Sequence, residues 1–168
     1  GVDEERERRM LLAINRLDGT IRWEREVLSA PLEHVHKLNS RASSTPATDG
    51  EHVFVSFLDE DQMCIAAYDF EGIRQWIVRP GPFKSVHGYC SSPVIFEDLL
   101  IVNGDHDGDA YIVALDRETG DTVWKTPREN KTRSYCTPII RDIDGRMQLL
   151  LSGSKCVASF DPRTGEQL

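Results

Sequence analysis

No run of eighteen apolar residues occurs in this 168-residue chain, so no helix written in it could span a bilayer. No basic segment followed by an apolar stretch opens it, so no secretory signal is expected within these residues. Cysteine is sparse: Cys64, Cys90, Cys136 and Cys156 stand far apart. No CxxC and no Cys/His spacing points to zinc. There is no G-x-S-x-G, and no Ser/His/Asp set can be brought together by spacing, which argues against a nucleophilic hydrolase. Basic residues are outnumbered, 20 against 28 acidic, leaving a formal charge of −8. That balance argues against a general nucleic-acid binder. Helical periodicity is also scarce; only Asp3 to Leu12 could pass for a helix. The remaining composition, 39% hydrophobic and 29% charged, suits one globular domain.

What is present repeats. "AINRLDGTIRW" (Ala13 to Trp23), "AYDFEGIRQW" (Ala67 to Trp76), "ALDRETGDTVW" (Ala114 to Trp124) and "SFDPRTGEQL" (Ser159 to Leu168) align on Gly19, Gly72, Gly120 and Gly165. Trp23, Trp76 and Trp124 each stand four residues after their glycine. A second motif alternates with the first and enters on Ser/Thr-Pro, with Pro46, Pro93 and Pro138 as its column. After each proline come two short apolar runs separated by a turn: Asp49-Gly50, Glu97-Asp98 or Asp144-Gly145. Each unit therefore reads as four short strands, the last carrying the tryptophan. In the first unit, Ile21, Trp23 and Arg25 alternate with Arg22, Glu24 and Glu26, the period of a strand with one wet face. Four strands per 40–50 residues is the signature of a β-propeller. The proline column fits, because a residue without an N–H belongs at a strand start or on an edge strand.

These motifs resemble the PQQ-like β-propeller repeat, shared by bacterial PQQ-binding-like propeller proteins, quinoprotein dehydrogenases and the propeller lipoprotein of barrel assembly. The pattern A-x-D-x-x-T-G-x-x-x-W is complete at Ala114–Trp124 and partial in the other copies. The resemblance implies an all-β propeller of four-stranded antiparallel blades with tryptophan-docking repeats. In it the tryptophans pack on the neighbouring blade and the alanines make room for them. Ala13, Trp23, Ala67, Trp76, Ala114, Asp116, Gly120 and Trp124 are the expected docking set. The chain is expected to be a single propeller fragment, 1–168, an incomplete arc of about three to four blades. Its units are a partial blade at 11–27, blades at 43–80 and 89–128, and a partial blade at 134–168 lacking its last strand. Further blades would come from the same parent chain or from another. The family also implies a periplasmic or extracellular location.

Candidate sites are few. Asp105, Asp107 and Asp109 in "DHDGD" have the 1, 3, 5 spacing of an EF-hand loop, and Asp116 falls at position 12. Ala110 occupies the place that needs glycine, which favours an ordinary acidic loop. Basic residues gather before each proline: Lys37 and Arg41, Lys84 and His87, Lys131 and Arg133. In a propeller these loops share one face around the channel mouth. The expected arrangement is an inner basic ring with the acidic loops farther out, and Tyr89 and Tyr135 beside it. Such a funnel would concentrate an anionic ligand, while solvated loop charge is the competing reading. The N-terminal "DEERERR" reads as a solvated loop or frayed end. Cys90 and Cys136 read as buried packing thiols.

No catalytic residue is assigned. The expected function is a non-catalytic scaffold for protein–protein or anionic-ligand binding, with a partner at the channel mouth and no resident cofactor. The alternative the resemblance offers is part of a quinone-dependent oxidoreductase using PQQ and calcium. That pocket uses two adjacent cysteines, a pair the chain does not contain.

Overall fold

The computed structural model describes every residue except Leu38. Its strands form four separate sheets in chain order. The first holds β1 (Val2–Asp3), β2 (Arg8–Ile14) and β3 (Ile21–Ser29); the second holds β4 (Ala47–Thr48), β5 (His52–Asp59), β6 (Gln62–Asp69) and β7 (Arg74–Pro82). The third holds β8 (Val94–Phe96), β9 (Leu99–Gly104), β10 (Tyr111–Asp116) and β11 (Thr122–Pro127); the fourth holds β12 (Ile139–Ile143), β13 (Arg146–Gly153) and β14 (Cys156–Phe160). Each sheet is an antiparallel meander of sequential neighbours. No helix occurs among the described residues. The result is an all-β propeller arc of two four-stranded blades flanked by two three-stranded ones.

Two details depart from the sequence reading. Asp3 to Leu12 is a hairpin rather than a helix, and Val2–Asp3 pairs with Arg8 and Arg9 as a further strand. Arg9 is fully buried, not solvated. Its guanidinium donates to the carbonyls of Ala30 (2.5 Å) and Pro31 (3.2 Å) and to the Glu33 carboxylate. After β14, a lone bridge between Phe160 and Gln167 stands where a fourth strand would pair.

The cores lie between the sheets, and the period of two builds them. Along β6, Met63, Ile65 and Ala67 face the third sheet, while Cys64, Ala66 and Tyr68 face the first. Along β10, Tyr111, Val113 and Leu115 face the second sheet, and Ile112 and Ala114 face the fourth. A central strand buried on both faces reads as a continuous apolar run, as "CIAAY" and "YIVAL" do.

The repeat columns meet across these interfaces. Ala13, Ala67 and Ala114 lie directly opposite Trp23, Trp76 and Trp124 in their own sheets. Each indole Nε1 donates to a carbonyl in the turn of the next sheet: Trp23 to Phe70 (2.9 Å), Trp76 to Arg117 (3.0 Å), Trp124 to Pro162 (3.2 Å). Beneath each ring sits the next turn's glycine, at φ of 78° for Gly72, 79° for Gly120 and 72° for Gly165. A Cβ on Gly120 would lie 2.8 Å from Cε3 of Trp76, closer than real Cβ contacts come. Gly19, with φ of 74°, has no atom within 4 Å of that position. Asp116 shapes its turn by accepting the N–H groups of Glu118 and Thr119, 2.9 Å each.

At the inner edge a second relay links the Ser/Thr-Pro motifs. The Thr45 N–H donates to Ser92 Oγ and the Ser92 N–H to Thr137 Oγ1, both at 3.0 Å. The residues before Pro46 and Pro93 thus hand their N–H to the equivalent hydroxyl one blade on. Proline ends strand pairing there, and the hydroxyl satisfies the freed donor.

Candidate functional site

Strand pairing fixes which loops share a face. Gln62 pairs with Pro82 and Tyr111 with Pro127, so the turns before β6 and β10 lie at the same end as the loops leaving β7 and β11. On this face three ring side chains from three successive linking loops stand in a row. His36 and His87 meet edge to face with centroids 5.3 Å apart, and His87 meets Tyr135 at 5.4 Å. Tyr135 and Ser85 share a hydroxyl hydrogen bond of 2.6 Å, and Asn39 Nδ2 donates to the His87 carbonyl at 2.9 Å. Asn39, His87, Cys90 and Tyr135 line a shallow cleft of about 370 Å³ here.

The basic residues divide. Lys37 and Lys84 lie exposed. Arg41 bonds the Glu33 carbonyl (3.1 Å) and pairs with Glu4 (2.8 Å). Lys131 pairs with Asp109 at 2.7 Å and Arg133 with Asp107 at 2.6 Å. The acidic loop therefore touches the basic one instead of lying farther out. Lys131 holds the Asp109 carboxyl below its ordinary range, and Asp107 holds the Arg133 guanidinium above its own. Tyr89 leaves the set: it is 5% exposed and stands edge-on to Phe83, centroids 4.9 Å apart, in the core between the second and third sheets.

Asp105, Asp107 and Asp109 do not fit a calcium ion, because each carboxylate is committed to a different cation. Asp105 is fully buried and accepts from Arg128 Nε at 2.9 Å. Burial pushes its carboxyl up against the opposing pull of Arg128. Asp105, Arg128 and Gly153 stack closely: a Cβ on Gly153 would lie 3.2 Å from Arg128 Nη2 and 3.3 Å from Asp105 Oδ2. Sequence spacing gave no sign of this pair, since its members lie 23 residues apart on separate loops. His106, 4% exposed, stands beside Phe83 and Tyr111 with neither ring nitrogen partnered.

A further cluster joins two blades away from that face. Asp49, His52 and Glu118 bring ligand atoms within 4.8 Å of one another. Arg117 already occupies it, with Nη1 3.5 Å from Asp49 Oδ2 and Nε 3.4 Å from Glu118 Oε1. The cluster acts as an ionic clasp between the second and third sheets.

All four thiols are free. Cys64 is 1% exposed and burial pushes its pKa up to about 11, whereas Cys90, Cys136 and Cys156 are half-buried. Cys90 and Cys136 are less buried than expected, because both lie in linking loops outside the strands, though Cys136 still packs against the core between the third and fourth sheets. Ellman's reagent at pH 8 should therefore leave Cys64 unreacted in the native protein and titrate it only in denaturant. Rapid native labelling of Cys64 by mass mapping would contradict the packing described.

These features define a class: a PQQ-like propeller repeat protein whose blades are latched at their outer and inner edges. The family model described as outer membrane protein assembly factor BamB matches residues 10–168, and the chain belongs to that family. Among solved structures it is similar to BamB from Moraxella catarrhalis, at 20% identity and TM-score 0.59, covering 89% of this chain and 40% of that one. It is also similar to quinohemoprotein alcohol dehydrogenase ADHIIG from Pseudomonas putida HK5, at 17% identity and TM-score 0.68, covering 95% and 31%. A europium-containing methanol dehydrogenase gives 15% identity and TM-score 0.64, covering 94% and 37%. The chain thus spans less than half the length of each of these structures. No functionally curated protein matches it.

Proposed function

We propose that the chain forms part of a non-catalytic scaffold that binds a partner protein through an acidic segment at the loop face, outside the cytoplasm. The observation that carries this is the His36–His87–Tyr135 row crossing three linking loops, with Lys37 and Lys84 exposed on the same loops. Rings standing edge to face offer partly apolar contact with polar tips, and exposed ammonium groups attract carboxylates. The family's description as an outer-membrane assembly factor supports both the protein partner and the location. The dehydrogenase reading draws on likeness of fold, which does not carry function.

Titrating an octa-glutamate peptide into the purified protein tests this. Lys84→Glu with His87→Ala should weaken binding about tenfold, the scale of one lost charge-assisted contact, and added salt should weaken it further. Equal binding by the variant would remove the proposal. Added PQQ with calcium should leave the absorption spectrum the sum of its parts; a bound-quinone spectrum would favour the enzyme instead.

A further inference from the structure

We propose that the cleft between the outer strands of the second and third sheets binds a small organic monocarboxylate with an apolar body, held by the Lys125 ammonium and the Tyr111 hydroxyl. This site lies beside the loop face and does not depend on the reading given above.

The cleft measures about 520 Å³ and is walled by Pro82, Ala110 and Pro127. Tyr111 also lines it. This ring is 2% exposed, yet its hydroxyl has no hydrogen-bond partner. A buried hydroxyl without a partner is costly and uncommon. The ring lies in a slot made by two glycines: a Cβ on Gly104 would come within 2.5 Å of it, and one on Gly81 within 2.9 Å of its oxygen. Neither glycine has positive φ; space for the tyrosine is what these positions provide.

Lys125 extends from β11 and folds its Nζ to 3.9 Å from the Tyr111 ring centre, donating one hydrogen bond to the Pro80 carbonyl at 2.7 Å. An ammonium has three donors. Among the described residues no carboxylate pairs with Lys125. Partial burial lowers its pKa, the sign of a cation poorly compensated where it stands. The cleft's other cations are engaged: Arg128 by buried Asp105 and Lys131 by Asp109.

One cation without a carboxylate partner and one neutral donor match the two oxygens of a single carboxylate. The proline and alanine walls suit a ring or short aliphatic chain. Asp109 at the rim disfavours a dianion.

The test titrates phenylacetate into the protein, following the backbone amides of Ala110 and Tyr111 by NMR. Phenylacetamide serves as the uncharged control and phenyl phosphate as the dianion. Phenylacetate should bind about tenfold or more tighter than phenylacetamide, as a charge-assisted contact implies. Lys125→Met should abolish that preference while leaving phenylacetamide unchanged, and Tyr111→Phe should weaken phenylacetate several-fold. Lys125→Gln repeats the test should the methionine variant fold poorly. No shift with phenylacetate, an unchanged preference in both lysine variants, or tighter binding of phenyl phosphate would overturn the proposal. Octa-glutamate binding that persists through such a failure would leave the loop-face reading standing.

Discussion

Replacing Trp76 by alanine is expected to destabilise the protein by about 3–5 kcal/mol, the range for deleting a buried aromatic side chain. Trp76 is 9% exposed, tilts against Phe54 with centroids 5.9 Å apart, and donates its Nε1 to the next blade. The substitution removes apolar area from two sheets at once and leaves the Arg117 carbonyl without that donor. Trp23 is only half-buried, so Trp23→Ala should cost less, about 1–2 kcal/mol. The glycines beneath the rings give the complementary experiment. Gly19→Ala meets empty space and should cost about 1–2 kcal/mol from its positive φ alone. Gly120→Ala carries the same φ penalty plus overpacking against Trp76, about 1–3 kcal/mol more. Urea unfolding midpoints at constant slope would rank the four variants. Equal costs at Gly19 and Gly120 would show that the ring contact contributes nothing.

Asp105→Ala is expected to be comparably severe, again about 3–5 kcal/mol, because it strands the Arg128 guanidinium in the interior. Arg128 is 6% exposed, with the Phe160 ring at 5.2 Å and Cys156 Sγ at 3.7 Å also beside it. Neither can replace a carboxylate. The double variant Asp105→Ala, Arg128→Met should recover most of the loss, since removing both charges together avoids an unpaired one. The measurement is the unfolding free energy of the wild type and the two variants. A double variant no more stable than Asp105→Ala alone would show that the carboxylate stabilises by some route other than pairing with Arg128.

The arc was largely readable from the chain. Glycine, alanine and tryptophan recur at fixed offsets, and the structure sets each tryptophan opposite its alanine and over the next turn's glycine. The Ser/Thr-Pro motif was visible too, but only the proline's role follows from local chemistry. The hydroxyl's work is done across a blade boundary, from Thr45 to Ser92 to Thr137, and no single unit reveals it. Charges were misread for the same reason. "DEERERR" has the composition of a solvated run, yet Arg9 turns inward to Glu33, 24 residues away. The basic loop residues looked like an open ring, but Arg133 and Lys131 each close on an aspartate more than twenty residues earlier. Composition reports how many charges a loop carries; strand register decides which of them face one another.

We predict that each indole couples energetically to the turn of the next blade and to no other. A double-mutant cycle between Trp76→Ala and Gly120→Ala, with Trp76→Ala and Gly165→Ala as control, measures this directly in the purified protein. The expected coupling is about 1–3 kcal/mol for the first pair and about zero for the second, as for contacting and distant sites. Additive losses at Trp76 and Gly120, or equal coupling in both cycles, would contradict it.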